Sequence, residues 1–183
     1  FEVRNMLAEN IYEEDTGKLS LGASHPKLFI KMMQGLGFRP REFESIRLLP
    51  ATRHYRSWLD QISNDPDWVL GAAVLTIFVE GSVNDRRELQ NSSHSKTRRQ
   101  IQHKITHHPL VQYHGVSHGA MNLIRAHQMV EAGHRHDAYA MVVNYAQDRA
   151  QQEAVLKAIV KSLHLWQRYR DGVARACALA RSS

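Results

Sequence analysis

The stretch RAHQMVEAGHRHDAY, residues 125–139, places two histidines and a glutamate at helical spacing. His127, Glu131 and His134 stand at positions i, i+4 and i+7, so on a helix of 3.6 residues per turn their side chains share one face. Two imidazoles and a carboxylate form a mixed ligand set that suits iron, manganese or zinc. The chain has 12 histidines, so a solvated face can give the same spacing by chance. Further ligands elsewhere in the chain decide between these two interpretations.

Length and composition predict one globular domain covering residues 1–183. Hydrophobic residues make up 43% and charged residues 23% of the chain, which is ordinary for a globular protein. The single cysteine, Cys177, excludes an internal disulfide and favours a cytoplasmic location. The longest uncharged apolar run, residues 68–79, is too short to span a bilayer, and no signal peptide is apparent. Because Phe1 already lies inside an amphipathic pattern, we expect the first helix to begin upstream.

The basic residues suggest nucleic-acid binding but do not form a recognisable binding motif. The net charge is +6, and four of the cations, Lys96, Arg98, Arg99 and Lys104, lie within NSSHSKTRRQIQHK, residues 91–104. This polar stretch has no interleaved aromatic residue. We therefore interpret it as a mobile, solvated loop without a catalytic role, and expect neither a nucleic-acid partner nor a membrane.

Hydrophobic spacing predicts helices along almost the whole chain. They cover residues 1–14, 26–36, a short segment from Pro40, 51–63, 67–89, a short segment before a long helix at 117–146, and 155–180. The last helix is predicted to turn Val155, Ile159, Leu163, Trp166 and Tyr169 inward. Apolar alternation of period two is almost absent, so the fold is predicted to be all-α, a bundle of about seven helices.

Glu80 is a second candidate ligand, because it ends the uncharged run of the helix predicted to be most buried. An ionised carboxylate there is costly unless it is paired or bound to a metal. Glu80 could instead lie where the helix emerges and pair with Arg86 or Arg87.

Glu14 and His25 form a third candidate group. On a continuous helix they would lie about 16 Å apart, at 1.5 Å per residue, which no metal ion bridges. The glycines and serines between them allow the chain to fold back, so that the end of one helix and the start of the next converge. Glu13 and Asp15 compete with Glu14 for this role.

Together these groups supply three carboxylates and three imidazoles from three regions of a helical bundle. Such a set can hold two ions with open positions between them, as helical carboxylate bundles hold two irons. A dizinc or dimanganese hydrolase could use similar ligands, but a buried apolar setting favours oxygen chemistry. The candidate ligands are Glu14, His25, Glu80, His127, Glu131 and His134.

At these positions the sequence resembles the heme-oxygenase-like diiron oxidases and oxygenases. The matching elements are Asn10-Ile11-Tyr12-Glu13-Glu14, then His25-Pro26-x-Leu28-Phe29, then Glu80, and finally His127-x3-Glu131-x2-His134. The resemblance extends over roughly residues 5 to 170. The sequence departs from the pattern in two ways: the gap between Glu80 and His127 is longer than usual, and the helix expected before residue 1 is missing or truncated.

The resemblance implies a seven-helix heme-oxygenase-like bundle in which all six candidate residues are iron ligands. It implies that two Fe2+ ions reduce O2 to a peroxo-diiron(III) species, which oxidises or cleaves a small amino-acid-derived or fatty-acid substrate. Family reactions include N-oxygenation, carbon–carbon fragmentation, and nitrile or alkene formation, typical of specialised biosynthesis. An external electron donor and a homodimer are compatible with this chemistry.

A second hypothesis from another class stays open on the same fold. In it the protein is a metal-free enzyme or a small-molecule binding protein, similar to thiaminase II or to the pyrroloquinoline quinone synthase. The histidines would then be polar core residues. Such relatives are not expected to have the full set of six ligands, which favours the diiron hypothesis.

Overall fold

A computed structural model of the chain describes residues 2–78 and 96–179, and at 77 and 131–135 it describes the backbone alone. Within these ranges the regular elements are all helical, which confirms the predicted all-α class. The described residues fall into two compact units, each made of two segments of the chain. Among the described helices, none is long and apolar enough to cross a membrane.

The first unit comprises Phe1–Ile46 and Gln90–His136. Its elements are α1 (Glu2–Thr16), α2 (His25–Gly35), a 3-10 turn (Pro40–Phe43), α5 (Arg98–Thr106), α6 (Pro109–His114) and the first part of α7 (Asn122–Val143). In one core cluster, Leu28 and Met32 of α2 pack against Leu123 and Ala126 of α7. This packing places the beginning of α2 beside the first turns of α7, where His127 lies.

The second unit comprises Arg47–Leu89 and Asp137–Ser183. Its elements are α3 (Pro50–Ser63), α4 (Trp68–Ala72), a π-helical segment (Ala73–Ile77), the last part of α7 and α8 (Arg149–Ala176). The predicted helix at 67–89 is confirmed as far as Phe78. Its continuation lies outside the described residues. Trp58 and Ile62 of α3 pack with Val74 and with Ala158 of α8 to form the core.

The polar stretch at 91–104 was interpreted as a loop, and for its described part this was wrong. Residues from Arg98 onward form α5, and Thr97 caps it by accepting a hydrogen bond from Gln100 N while the Gln100 side chain accepts one from Thr97 N. The buried side chains of Ile101 and Ile105, one turn apart, hold the helix on the core of the first unit. These two apolar anchors are enough to fix an otherwise polar helix.

The inward face predicted for α8 was also wrong in part. Leu163 is 41% and Trp166 is 37% exposed, whereas Ala158 and Ser162 are buried with Val155. The small side chains allow α3 to approach closely, so that Trp58 fills the space above them. The buried face of α8 is therefore set by small residues, which a search for large apolar side chains overlooks.

Candidate metal centre

The loop between α1 and α2 reverses the chain within eight residues, 17–24. Gly17 adopts φ +64°, and its backbone N–H donates to the Glu13 carbonyl at 2.6 Å. A Cβ at this position would lie 2.2 Å from the Ala23 carbonyl oxygen, so only glycine fits. The predicted convergence of Glu14 with His25 is confirmed by this reversal.

Glu14, His25 and His127 bring their side-chain donor atoms to one point. One donor atom from each lies within 4.8 Å of the other two, which is a separation that one metal ion can bridge. His25 Nδ1 lies 2.7 Å from Glu14 Oε2, and the rings of His25 and His127 meet edge to face with centroids 4.7 Å apart. Two of the three predicted ligand groups, from α1–α2 and from α7, are therefore adjacent.

Glu13 lies behind this cluster and was not identified as a distinct element of the site from the sequence. Its side chain is fully buried, and its Oε2 accepts a hydrogen bond from Leu19 N at 2.7 Å. Its Oε1 accepts hydrogen bonds from the Ser20 hydroxyl and from His25 Nε2, the latter at 3.3 Å. A buried carboxylate with these donors holds the imidazole of His25 from the side opposite Glu14.

The arrangement around His25 fits a metal ion. Nε2 lies 3.3 Å from Glu13 Oε1, so the tautomer that has its proton on Nε2 donates to Glu13 and presents the Nδ1 lone pair on the side of Glu14. Although Nδ1 is close to Glu14 Oε2, the contact is not aligned as a hydrogen bond, and buried Nδ1 has no hydrogen-bond partner among the described residues. Metal-ligating histidines commonly donate their other N–H to a carboxylate in this way. The donor set of one carboxylate and two imidazoles suits iron.

The other three predicted ligands are not placed by the described side chains. Glu80 lies outside the described residues. Helix α7 runs without interruption through positions 127, 131 and 134, as predicted, but the side chains of Glu131 and His134 lie outside the described part of the chain. Their metal ligation stays a prediction.

Comparison with known protein families gives one match. Residues 1–167 match the family described as iron-containing redox enzymes, which is heme-oxygenase-like. No curated protein and no solved structure matches the chain. The family match covers most of the sequence and includes every residue of the candidate centre. The chain therefore belongs to the iron-containing redox enzyme family.

Proposed function

We propose that the protein is an O2-dependent, non-heme diiron oxidoreductase that oxidises or cleaves a small amino-acid-derived or fatty-acid substrate. Family membership supplies the iron and the redox class. The observation that carries the proposal is the convergence of Glu14, His25 and His127 in front of buried Glu13. Buried His25 Nδ1 lies 2.7 Å from Glu14 Oε2 without a hydrogen bond to any described residue, and a metal ion held by both groups accounts for this close approach.

In this proposal Glu14, His25 and His127 hold iron together, and Glu80, Glu131 and His134 supply the remaining ligands for two ions. When bound, two ferrous ions would supply electrons for the reduction of O2. The proposed bundle is the seven-helix, heme-oxygenase-like one.

The protein's own contribution at His25 is orientation and control of a proton. Glu13 keeps the proton on Nε2, so the Nδ1 lone pair is available on the side of Glu14. Leu19 N and the Ser20 hydroxyl in turn hold the Glu13 carboxylate, which compensates part of the cost of burying its charge. Because Glu13 and His25 are both buried, water competes poorly for these contacts.

Iron content tests the proposal directly. The purified protein, loaded with ferrous iron without oxygen, is expected to bind up to two irons per chain. His25→Ala or His127→Ala should lose at least one, whereas His114→Ala, at an exposed position at the end of α6, should keep the wild-type content. Circular dichroism should report unchanged helix content in all three variants. A wild-type protein that binds no iron would favour the metal-free alternative.

We further propose a cytoplasmic location, since the single cysteine, which is exposed, needs no oxidising compartment. The proposed partners are a small-molecule substrate and an external electron donor, with no nucleic acid and no membrane. A homodimer is also proposed, and gel filtration with light scattering would test it.

A further inference from the structure

A cavity of about 650 Å³ lies in the first unit, and cationic side chains from three segments line it. Lys96 precedes α5, Arg98 begins that helix, and Arg125 comes from α7. Among the described residues that line the cavity there is no carboxylate. Its volume is within the range of small-molecule sites, about 300 to 1,000 Å³.

The two arginines keep their charge available to a ligand. Arg98 has neither a hydrogen-bond nor an ion-pair partner among the described residues. Arg125 donates to the neutral amide oxygen of Gln102 at 3.1 Å, which orients the guanidinium without neutralising it. Like charges that converge on one cavity repel each other, and an anion in the cavity relieves this repulsion.

The rest of the lining is suited to an aliphatic group. Ile101, Leu21 and Met129 line the same cavity as the cations. A ligand that combines an oxyanion with a short apolar chain would therefore match both parts of the wall. Planar guanidinium groups bind carboxylate and phosphate oxygens in pairs, which gives such a head group a fixed orientation.

One lining residue connects the cavity to the candidate metal centre. Ser20 lines the cavity and also donates its hydroxyl hydrogen to Glu13, which holds His25. Arg125 and Met129 each lie two positions from His127 on α7, and thus on a different face of that helix. The link between the cavity and the residues proposed to hold iron therefore runs through Ser20 and Glu13.

We propose that this cavity binds the oxyanion head of a small organic acid through Arg98 and Arg125. The binding of this anion does not depend on the proposed function. Arg98 belongs to the stretch that the sequence led us to treat as a loop without a catalytic role. The proposal therefore revises that interpretation for one residue of the stretch.

Calorimetric titration under nitrogen tests the site, with hexanoate, hexyl phosphate and neutral hexanamide as probes. At least one anion is expected to bind at least tenfold more tightly than hexanamide, and the better of the two identifies the head group. Arg98→Ala and Arg125→Ala should each weaken that anion about tenfold or more, because each removes a charge-assisted contact. Arg99→Ala is the matched control, since Arg99 adjoins Arg98 in sequence and does not line this cavity. The affinity of this variant for the anion should stay within about twofold of the wild-type value.

Three results would overturn the inference. They are the failure of both anions to bind the wild-type protein, hexanamide binding equal to that of the anions, and unchanged affinity in both arginine variants. Running iron-loaded and chelator-treated protein in parallel separates this proposal from the previous one. Anion binding by a protein that takes up no iron would contradict the diiron proposal alone. Iron uptake without anion binding would contradict the cavity assignment alone.

Discussion

Two buried polar groups, Ser162 in the second unit and His25 in the first, have different hydrogen-bond partners. In the second unit, Ser162 accepts a hydrogen bond from Trp58 Nε1 at 2.7 Å and donates one to the Ala158 carbonyl at 2.9 Å. In the first, buried His25 has Nε2 bound to Glu13 while Nδ1 has no hydrogen-bond partner among the described residues. A satisfied buried group stabilises the fold, whereas an oriented but unsatisfied one is available to a ligand. We therefore assign a stabilising role to Ser162 and a ligand-binding role to His25.

The largest expected effect on folding lies in the second unit, at Trp58. Trp58→Ala removes a side chain that is 8% exposed and that fills the space between α3 and α8, so we expect a loss of about 3 to 5 kcal/mol in the free energy of unfolding. Urea denaturation measures it. Trp68→Ala, at a tryptophan that is 44% exposed, should cost clearly less. Iron bound per folded chain should stay at the wild-type value in both variants. Loss of iron in Trp58→Ala would contradict a purely structural role for Trp58.

Glu13→Gln should have the opposite effect to Trp58→Ala. It should weaken iron binding and change the free energy of unfolding less. Glutamine keeps the shape but loses the charge that holds the proton on His25 Nε2, and removing such a partner typically costs about 10- to 100-fold in metal affinity. Competition with a chelator measures the affinity. The matched control is Glu9→Gln, one turn earlier on α1 at an exposed position, which should bind iron normally. Equal affinities in the two variants would show that Glu13 is not a positioning residue.

Ser162→Ala should cost about 1 to 3 kcal/mol of unfolding free energy, because the buried Trp58 Nε1 loses its acceptor. Ser63→Ala makes a control on α3, since its hydroxyl is exposed where it donates to the Asp60 carbonyl and accepts from the Asn64 side chain, and it should change stability by less than about 0.5 kcal/mol. Urea denaturation compares the two. A Ser162 variant as stable as the Ser63 variant would contradict the structural role assigned to this hydrogen bond.

The smallest effect concerns Tyr55, which stacks on Tyr169 with ring centroids 5.9 Å apart. Burial, and secondly the charge of ionised Tyr169, raise the pKa of Tyr55 above its ordinary value of about 10. Tyr55 thus stays protonated to a higher pH in the folded state than in the unfolded state. The resulting stability is fully present below about pH 10 and is lost as the pH rises through the higher, folded pKa.

Tyrosinate absorbance, taken as the difference between wild type and Tyr55→Phe, measures this titration. Tyr169→Phe should lower the midpoint of Tyr55 part of the way, because it removes the second cause. A midpoint at or below about pH 10 in the wild type would contradict the assignment. The metal content should be unaffected by either substitution.

The sequence predicted the helical class and the approach of Glu14 to His25, because both follow from local patterns. Helical spacing gives the first, and the glycines between the two residues allow the second. The role of Glu13 could not be predicted in this way. Adjacent carboxylates are equivalent in spacing, and only the path of the loop decides which of them is buried.

Helix α5 is a different case, since its signal was present in the sequence. Thr97 and Gln100 have the spacing of a capping box, and Ile101 and Ile105 lie one turn apart. We nevertheless interpreted the stretch as a loop, because most of its residues are polar. The buried face of α8 was missed for another reason, because Ala158 and Ser162 contribute little to a hydrophobic pattern while their small size determines the packing.

Crystallographic location of iron by its anomalous scattering tests the central claim most directly. In crystals loaded with ferrous iron without oxygen, we predict one peak within bonding distance of Glu14, His127 and His25, with His25 bound through Nδ1 and its Nε2 still facing Glu13. A second peak nearby would agree with the proposed pair of ions. Iron bound elsewhere, or His25 turned so that Nδ1 forms a hydrogen bond to a protein group, would contradict the account.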